Sequence, residues 1–206
     1  MKRIIALCFL LVAGTTLPAQ QIVKLPAPDK NVPMTLYQAL ERRQSVREYS
    51  DKAIDSKTLG QLLWAASGVN RKDGRMTAPT AINAQDISIY VLAEDGASRY
   101  LPAEHALQTV TGKDLRAAAA GRQASIAKAP VILLLVSDLS RFGGRDGQIF
   151  GAEDAAYVSQ NINLAAVALG LATVPRAMMD KETLKQELGL SDTQVPMLNN
   201  PVGHPR

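Results

Sequence analysis

One stretch restricts the fold more than any other: Val131 to Ser137, read as VILLLVS. It is a continuous apolar run of strand length, with no polar alternation. A strand of that kind is covered on both faces, so it predicts the centre of a sheet with layers packed above and below. The longest helical pattern, Gln148 to Gly170, follows after the glycine-rich loop RFGGRDG. Its C-terminal half is apolar nearly all round and is expected to be buried.

The remaining elements surround that pair. Thr35 caps a first helix, LYQALERR, and Asp55 or Ser56 caps a second, in which Leu59, Leu62, Leu63 and Ala66 recur at helical spacing. Gly68 stands where a C-cap glycine is expected. ISIYVLA, Ile87 to Ala93, is rich in β-branched residues and reads as a strand, and SRYLP and HALQTV read as short strands around a turn. KDLRAAAAGRQASIAKA reads as one alanine-rich helix ending before Pro130. LATVPRAM reads as a strand entering a loop, DKETLKQELGL as a capped amphipathic helix, and QVPMLNNPVGHPR as a closing strand. Strands and helices intermix without strict βαβ alternation, which predicts α+β and not a doubly wound sheet.

The N-terminus carries a targeting pattern. Lys2 and Arg3 precede the apolar segment Ile4 to Gly14, and small residues in TTLPAQQ offer a cut after Ala19 or Gln20. This is the pattern of a secretory signal peptide, with an uncleaved anchor as the alternative. The expected organisation is therefore a leader over residues 1–20, an extended lead-in over 21–34 marked by Pro26, Pro28 and Pro33, and a single domain over 35–206. The expected location is an exported one such as a bacterial periplasm. The only cysteine, Cys8, lies in the leader, so the mature chain offers no thiol chemistry.

Several function classes are poorly equipped. The leader's two cations account for half of the formal charge of +4, and aromatic residues are 4% of the chain. Neither favours nucleic-acid binding. With only His105 and His204, a transition-metal site is not expected. No G-x-S-x-G elbow, G-x-G-x-x-G loop or Walker sequence is present.

Two polar stretches stand out instead. ALERRQSVREYS places Arg42, Arg43 and Arg47 around Ser45. Guanidinium groups match phosphate geometry, and Ser45 adds a hydroxyl, but cations also favour a helix C-terminus, so a solvated basic helix end is the alternative. APTAINAQD offers Thr80, Asn83 and Gln85, which suit a neutral polar ring edge or a polyol chain and equally suit ordinary turns.

Four segments, in order, resemble the FMN-dependent nitroreductase-like flavoproteins. RRQSVREY is similar to the family's R-R-S-x-R-x-[FY] motif, and APTAINAQDISIYVL to its P-S-x-x-N-x-Q-P loop and strand. DAAYVSQNINLAAVALGLATVP is similar to its helix and A-x-x-x-G-L-x-x-V-P turn, and NNPVGHP to its P-V-G-Y-P strand. The resemblance spans Arg42 to Pro205. It implies a three-layer α/β/α sandwich, with a mostly antiparallel central sheet flanked by helices.

The resemblance also implies roles. Arg43 and Ser45, with Gln44 between them, would hold the FMN phosphate and the nearby ribityl chain, and Arg47 would reach the pyrimidine edge of the ring. Thr80, Asn83 and Gln85 would meet the ribityl chain or ring edge. Pro175, Arg176 and Ala177 would lie along the flavin face with backbone N–H groups near N5, and Arg206 would add a phosphate contact. The implied activity is that of an oxidoreductase: NADH or NADPH passes hydride to FMN, and a nitroaromatic, quinone or similar small acceptor takes the electrons. A homodimer with FMN at the subunit interface is implied too, and Asn163 to Gly170 belongs either to that interface or to the monomer core. The alternatives are an exported flavin-binding or flavin-processing protein without NAD(P)H turnover, and a secreted binding domain for acidic polymers. The motif departures are Gln44, Thr80, Ala81, Asp86 in place of a common proline, and Ile87 in place of an aromatic.

Overall fold

In a computed structural model the described residues are 21–206, so the expected leader, its expected cleavage site and Cys8 lie outside them. The apolar run becomes strand β5, Val131–Asp138, at the centre of a sheet. Its neighbours are β2, Ile87–Ala93, and β7, Gln194–Gly203. Beyond β2 lie β3, Gly96–Leu101, β4, Ala106–Thr111, and β1, Ile22–Lys24. Beyond β7 lies β6, Ala172–Thr173. The order is β1-β4-β3-β2-β5-β7-β6 and every pairing is antiparallel.

The alternation of β5 side chains builds both cores at once. Val131, Leu133 and Leu135 face one layer, made by helices α2, Ser56–Ser67, and α4, Gly147–Ala168. There they meet Leu62, Leu63, Val158 and Ile162. Ile132, Leu134 and Val136 face the other layer, with Ala119 and Ala120 of α3, Arg116–Ala120, and Leu184 of α5, Lys181–Glu187. A strand buried on both faces needs apolar residues at both parities, which is why its sequence shows no alternation. The architecture is the α+β, three-layer α/β/α sandwich that the sequence predicts.

Helix α1, Leu36–Arg42, is closed at its start by a reciprocal box between Thr35 and Gln38. It buries only Ala39 and leaves Leu36, Tyr37 and Leu40 exposed. Within the lead-in, Ile22–Lys24 pair with β4 at the sheet edge.

Three elements differ from the sequence reading. The alanine-rich helix is not continuous: α3 stops after Ala120, Gly121 turns the chain at φ 55°, and Ala124–Lys128 form a separate 3-10 turn. The carbonyls of Ala119 and Ala120 accept from the Arg176 guanidinium at 3.1 and 2.8 Å, so a distant side chain ends the helix. Gly68 caps α2 in an extended conformation, φ −79°, and a Cβ there would strike Trp64, so close packing accounts for this glycine better than backbone freedom does. The C-terminal half of α4 is only partly buried. Ile162, Asn163 and Ala166 face inward, while Leu164, Val167 and Ala168 remain half-buried.

Candidate functional site

The arginine segment begins where α1 ends. Arg43 leaves the helix with φ −60° and ψ 119°, and residues 43–48 run irregularly across the end of the sheet. The backbone is pinned at three points. The Val46 amide donates to Thr173 O at 3.0 Å, Tyr49 bridges Pro205, and the Ser50 amide donates to His204 O at 2.9 Å. Buried Tyr49 adds a bond from its hydroxyl to Val46 O at 3.0 Å. Burial pushes its phenol well above the ordinary value of 10.0, against the opposing charges of Arg176 and Arg47. With Val46 and Tyr49 turned to the protein, Gln44, Ser45 and Arg47 face outward and Arg43 is half-buried. Arg206 follows Pro205 directly, so its side chain stands beside the same segment.

The patch is cationic and uncompensated. Among the described residues, none of Arg42, Arg43, Arg47 and Arg206 makes an ion pair. Arg176 adds a further charge from beneath. It is 7% exposed, and its guanidinium is held by Gln123 Oε1, Ala119 O, Ala120 O and Asn199 Oδ1, with no carboxylate among these partners. Desolvation lowers its affinity for its own proton, and the charge of Arg47 adds to that effect. A buried cation whose partners are all neutral dipoles favours an anion close by.

The turn after β6 offers little free backbone. Pro175 has no N–H, and the Arg176 amide donates to Asn199 O at 2.9 Å. The expectation of backbone donors therefore narrows to Ala177, which is exposed together with Pro175. Beside Ala177 opens a cleft of about 600 Å³, lined by Ala118, Gly121, Arg122, Met178 and Thr183 among others.

Thr80, Asn83 and Gln85 lie elsewhere. Their loop enters β2, whose first residue pairs with Ser137 at the C-terminal end of β5. The arginine segment sits at the other end, where Gly203 packs against Pro130 and Tyr49. From Val131 to Ser137 a strand rises about 20 Å. The fold thus brings Arg43, Ser45, Arg47 and Arg206 to one patch and carries Asn83 and Gln85 away from it within a single chain. The loop itself is strained. Ile82, Asn83 and Gln85 have φ of 49°, 56° and 48°, a region that costs a β-branched residue about 1–3 kcal/mol. Among the bonds that hold it are Gln85 N to Thr80 Oγ1 at 3.0 Å, Gln85 Nε2 to Gly74 O at 3.2 Å, the Ala81 amide to Asp154 at 2.9 Å and Arg141 to Ala84 O at 3.2 Å.

Sequence reasoning missed the Arg176 side chain and the anchor at Asp154. Arg176 carried no signal beyond its position in a turn. Asp154 was legible as a carboxylate in a helix that should be buried, and Asp86 as a departure from a motif.

Comparison with known proteins identifies the family. The Nitroreductase family model matches residues 40–204. A protein of Methanocaldococcus jannaschii assigned as a nitroreductase is 30% identical over 181 residues, covering 82% of this chain and 90% of its own length. An FMN reductase [NAD(P)H] of Bacillus subtilis is 24% identical over 81% of this chain and 64% of its own. The crystal structure of a Ralstonia eutropha protein assigned as a nitroreductase superposes with a TM-score of 0.85 at 29% identity, covering 93% and 92% of the two chains.

Proposed function

Because this chain belongs to the nitroreductase family, we propose that it is an FMN-dependent oxidoreductase, taking electrons from NADH or NADPH and passing them to a small acceptor such as a nitroaromatic or a quinone. The observation that carries the reading is the uncompensated cation patch of Arg43, Arg47 and Arg206, backed by buried Arg176. Free guanidinium groups around an outward hydroxyl fit a phosphate monoester, so the residues present suit FMN. FMN, when bound, supplies the two-electron chemistry. The protein's residues bind and tune. Arg43, Ser45 and Arg206, with Gln44, hold the phosphate end. Arg47, reinforced by Arg176, places positive charge at the ring edge, which favours an electron-rich ring. Pro175 and Ala177 leave one face open to reactants.

The separation of Asn83 and Gln85 from the arginines supports a homodimer in which the loop of one copy completes the site of the other. Leu36, Tyr37 and Leu40 on α1 and Ile149 and Tyr157 on α4 expose apolar surface suited to that contact. The half-buried Leu164, Val167 and Ala168 suit it as well. The leader pattern supports export to a periplasm, where nicotinamide donors are scarce. That compartment favours a second reading, an exported flavin protein served by another reductant.

Purification tests the first step. A yellow protein, or a colourless one that takes up FMN, is expected, and a protein that rejects added FMN overturns both readings. Anaerobic mixing with NADH or NADPH then separates them: rapid bleaching supports the oxidoreductase, and persistent colour supports the alternative.

A further inference from the structure

Two carboxyl groups come within hydrogen-bond reach of one another inside the fold, and among the described residues neither is paired with a cation. Asp86 ends the strained loop and Asp154 stands two turns into α4, and they are 2% and 1% exposed. Gly151 lets them meet: a Cβ there would collide with Ser137, so only glycine allows α4 to approach β5 at this point. Ser137 Oγ donates to Asp86 Oδ2 at 2.5 Å. The Ala81 amide donates to both oxygens of Asp154, at 2.9 and 3.0 Å. Asp86 Oδ1 is fully buried and has no partner.

Among the described residues the surroundings offer no counter-charge. Glu153 on α4 adds a negative charge beside Asp154. Asp138, at the end of β5, turns its carboxylate to Ser140. Arg141, the cation nearest the loop by its contacts, donates to Ala84 O at 3.2 Å and not to either carboxyl. From the adjoining layer α2 contributes Leu62, Leu63 and Ala66. Among the described residues neither Asp86 nor Asp154 makes an ion pair. Two ionised carboxylates in such a place would each lose hydration and repel the other. A single proton removes both problems, neutralising Asp154 and supplying the donor that Asp86 Oδ1 lacks.

We propose that Asp86 and Asp154 are positioning residues that hold one proton between them, Asp154 donating to Asp86 Oδ1, and that this proton fixes the left-handed Ile82–Gln85 turn through the Ala81 amide. Desolvation supports the assignment: opposed by the Ala81 bond and reinforced by Asp86 and Glu153, it raises Asp154 from 3.8 to about 7. Loss of the proton leaves two buried anions at the root of the loop and releases it. Protein with the proton in place presents Asn83 and Gln85 in fixed directions, and protein without it does not. That Asn83 and Gln85 then serve FMN rests on the function proposed above, whereas the shared proton does not.

The test uses amide hydrogen exchange of the loop in the full chain without added FMN, at about pH 5 and about pH 9, corrected for intrinsic exchange. The wild-type loop is expected to lose about ten-fold in protection at the higher pH. Asp154→Asn keeps an acceptor for Ala81 and a permanent donor for Asp86, so its loop stays protected at both. Asp154→Ala loses protection at both. Wild-type protection that does not change with pH, or an Asp154→Asn variant that follows the wild type, overturns the proposal. FMN affinity of the same proteins then tests the other layer. Weakening with pH in the wild type, abolished in Asp154→Asn, supports both. Loop exchange that behaves as expected while FMN affinity ignores pH upholds the shared proton and removes Asn83 and Gln85 from the FMN site.

Discussion

The arginine segment and the 80–85 loop solve the same problem in opposite ways. Both present polar side chains outward from irregular backbone. In the first, the backbone is relaxed and tied to the sheet by ordinary strand-like bonds at Val46, Tyr49 and Ser50, while the charges stay free. In the second, the backbone is strained at Ile82, Asn83 and Gln85 and is held by buried Asp154. A site that needs charge can spend its stability on leaving cations unpaired. A site that needs direction must instead fix an unfavourable backbone with bonds from beneath.

Arg176 gives the sharpest contrast with the free arginines. Replacing it by alanine strands Asn199 Oδ1, takes one of two donors from each of Ala119 O and Ala120 O, and empties the space of a buried guanidinium, so Arg176→Ala should lose about 3–5 kcal/mol of folding stability in a urea titration. A loss near zero would place Arg176 with the free arginines instead.

Asp154 carries the next effect. Unfolded, its carboxyl ionises above 3.8, and folded, it stays protonated to about 7. Between those values the folded chain holds one more proton, so stability falls as pH rises and levels off above about 7. Thermal melts of Asp154→Asn should lack this fall.

Arg43→Ala should weaken FMN binding about ten- to a hundred-fold, read by fluorescence titration, because a charge-assisted phosphate contact contributes about 1.5–3 kcal/mol. Ile82→Gly should relieve the left-handed strain and raise stability by about 1 kcal/mol, since the side chain is 60% exposed and gives up little packing. Arg47→Ala should change stability by less than about 0.5 kcal/mol while shifting the flavin potential. If it destabilises as strongly as Arg176→Ala, the division between free and structural arginines fails.

Much of the fold was legible because local patterns and burial agree. The double-sided apolar run of β5, the spacing of Leu59, Leu62, Leu63 and Ala66, and the Thr35 cap each report a local preference that the tertiary structure keeps. The alanine-rich segment was misread because alanine favours helix everywhere. What ended α3 was Gly121 together with a guanidinium 56 residues further along the chain from Ala120.

The candidate site divides along the same line. The residue types and the order of the four motifs sufficed to single out Arg43, Ser45, Arg47 and Arg206 and to mark Asn83 and Gln85. Chain composition could not say that these two groups stand at opposite ends of β5, because register and strand order are global properties. Nor could it separate Arg176 from Arg47, since the same guanidinium is bound when buried among carbonyls and free when left in water. Sequence by itself determined which chemical groups this protein carries and which elements hold them. Tertiary structure alone decided which of those groups are free, because hydrogen-bond partners and desolvation come from residues far away in the chain.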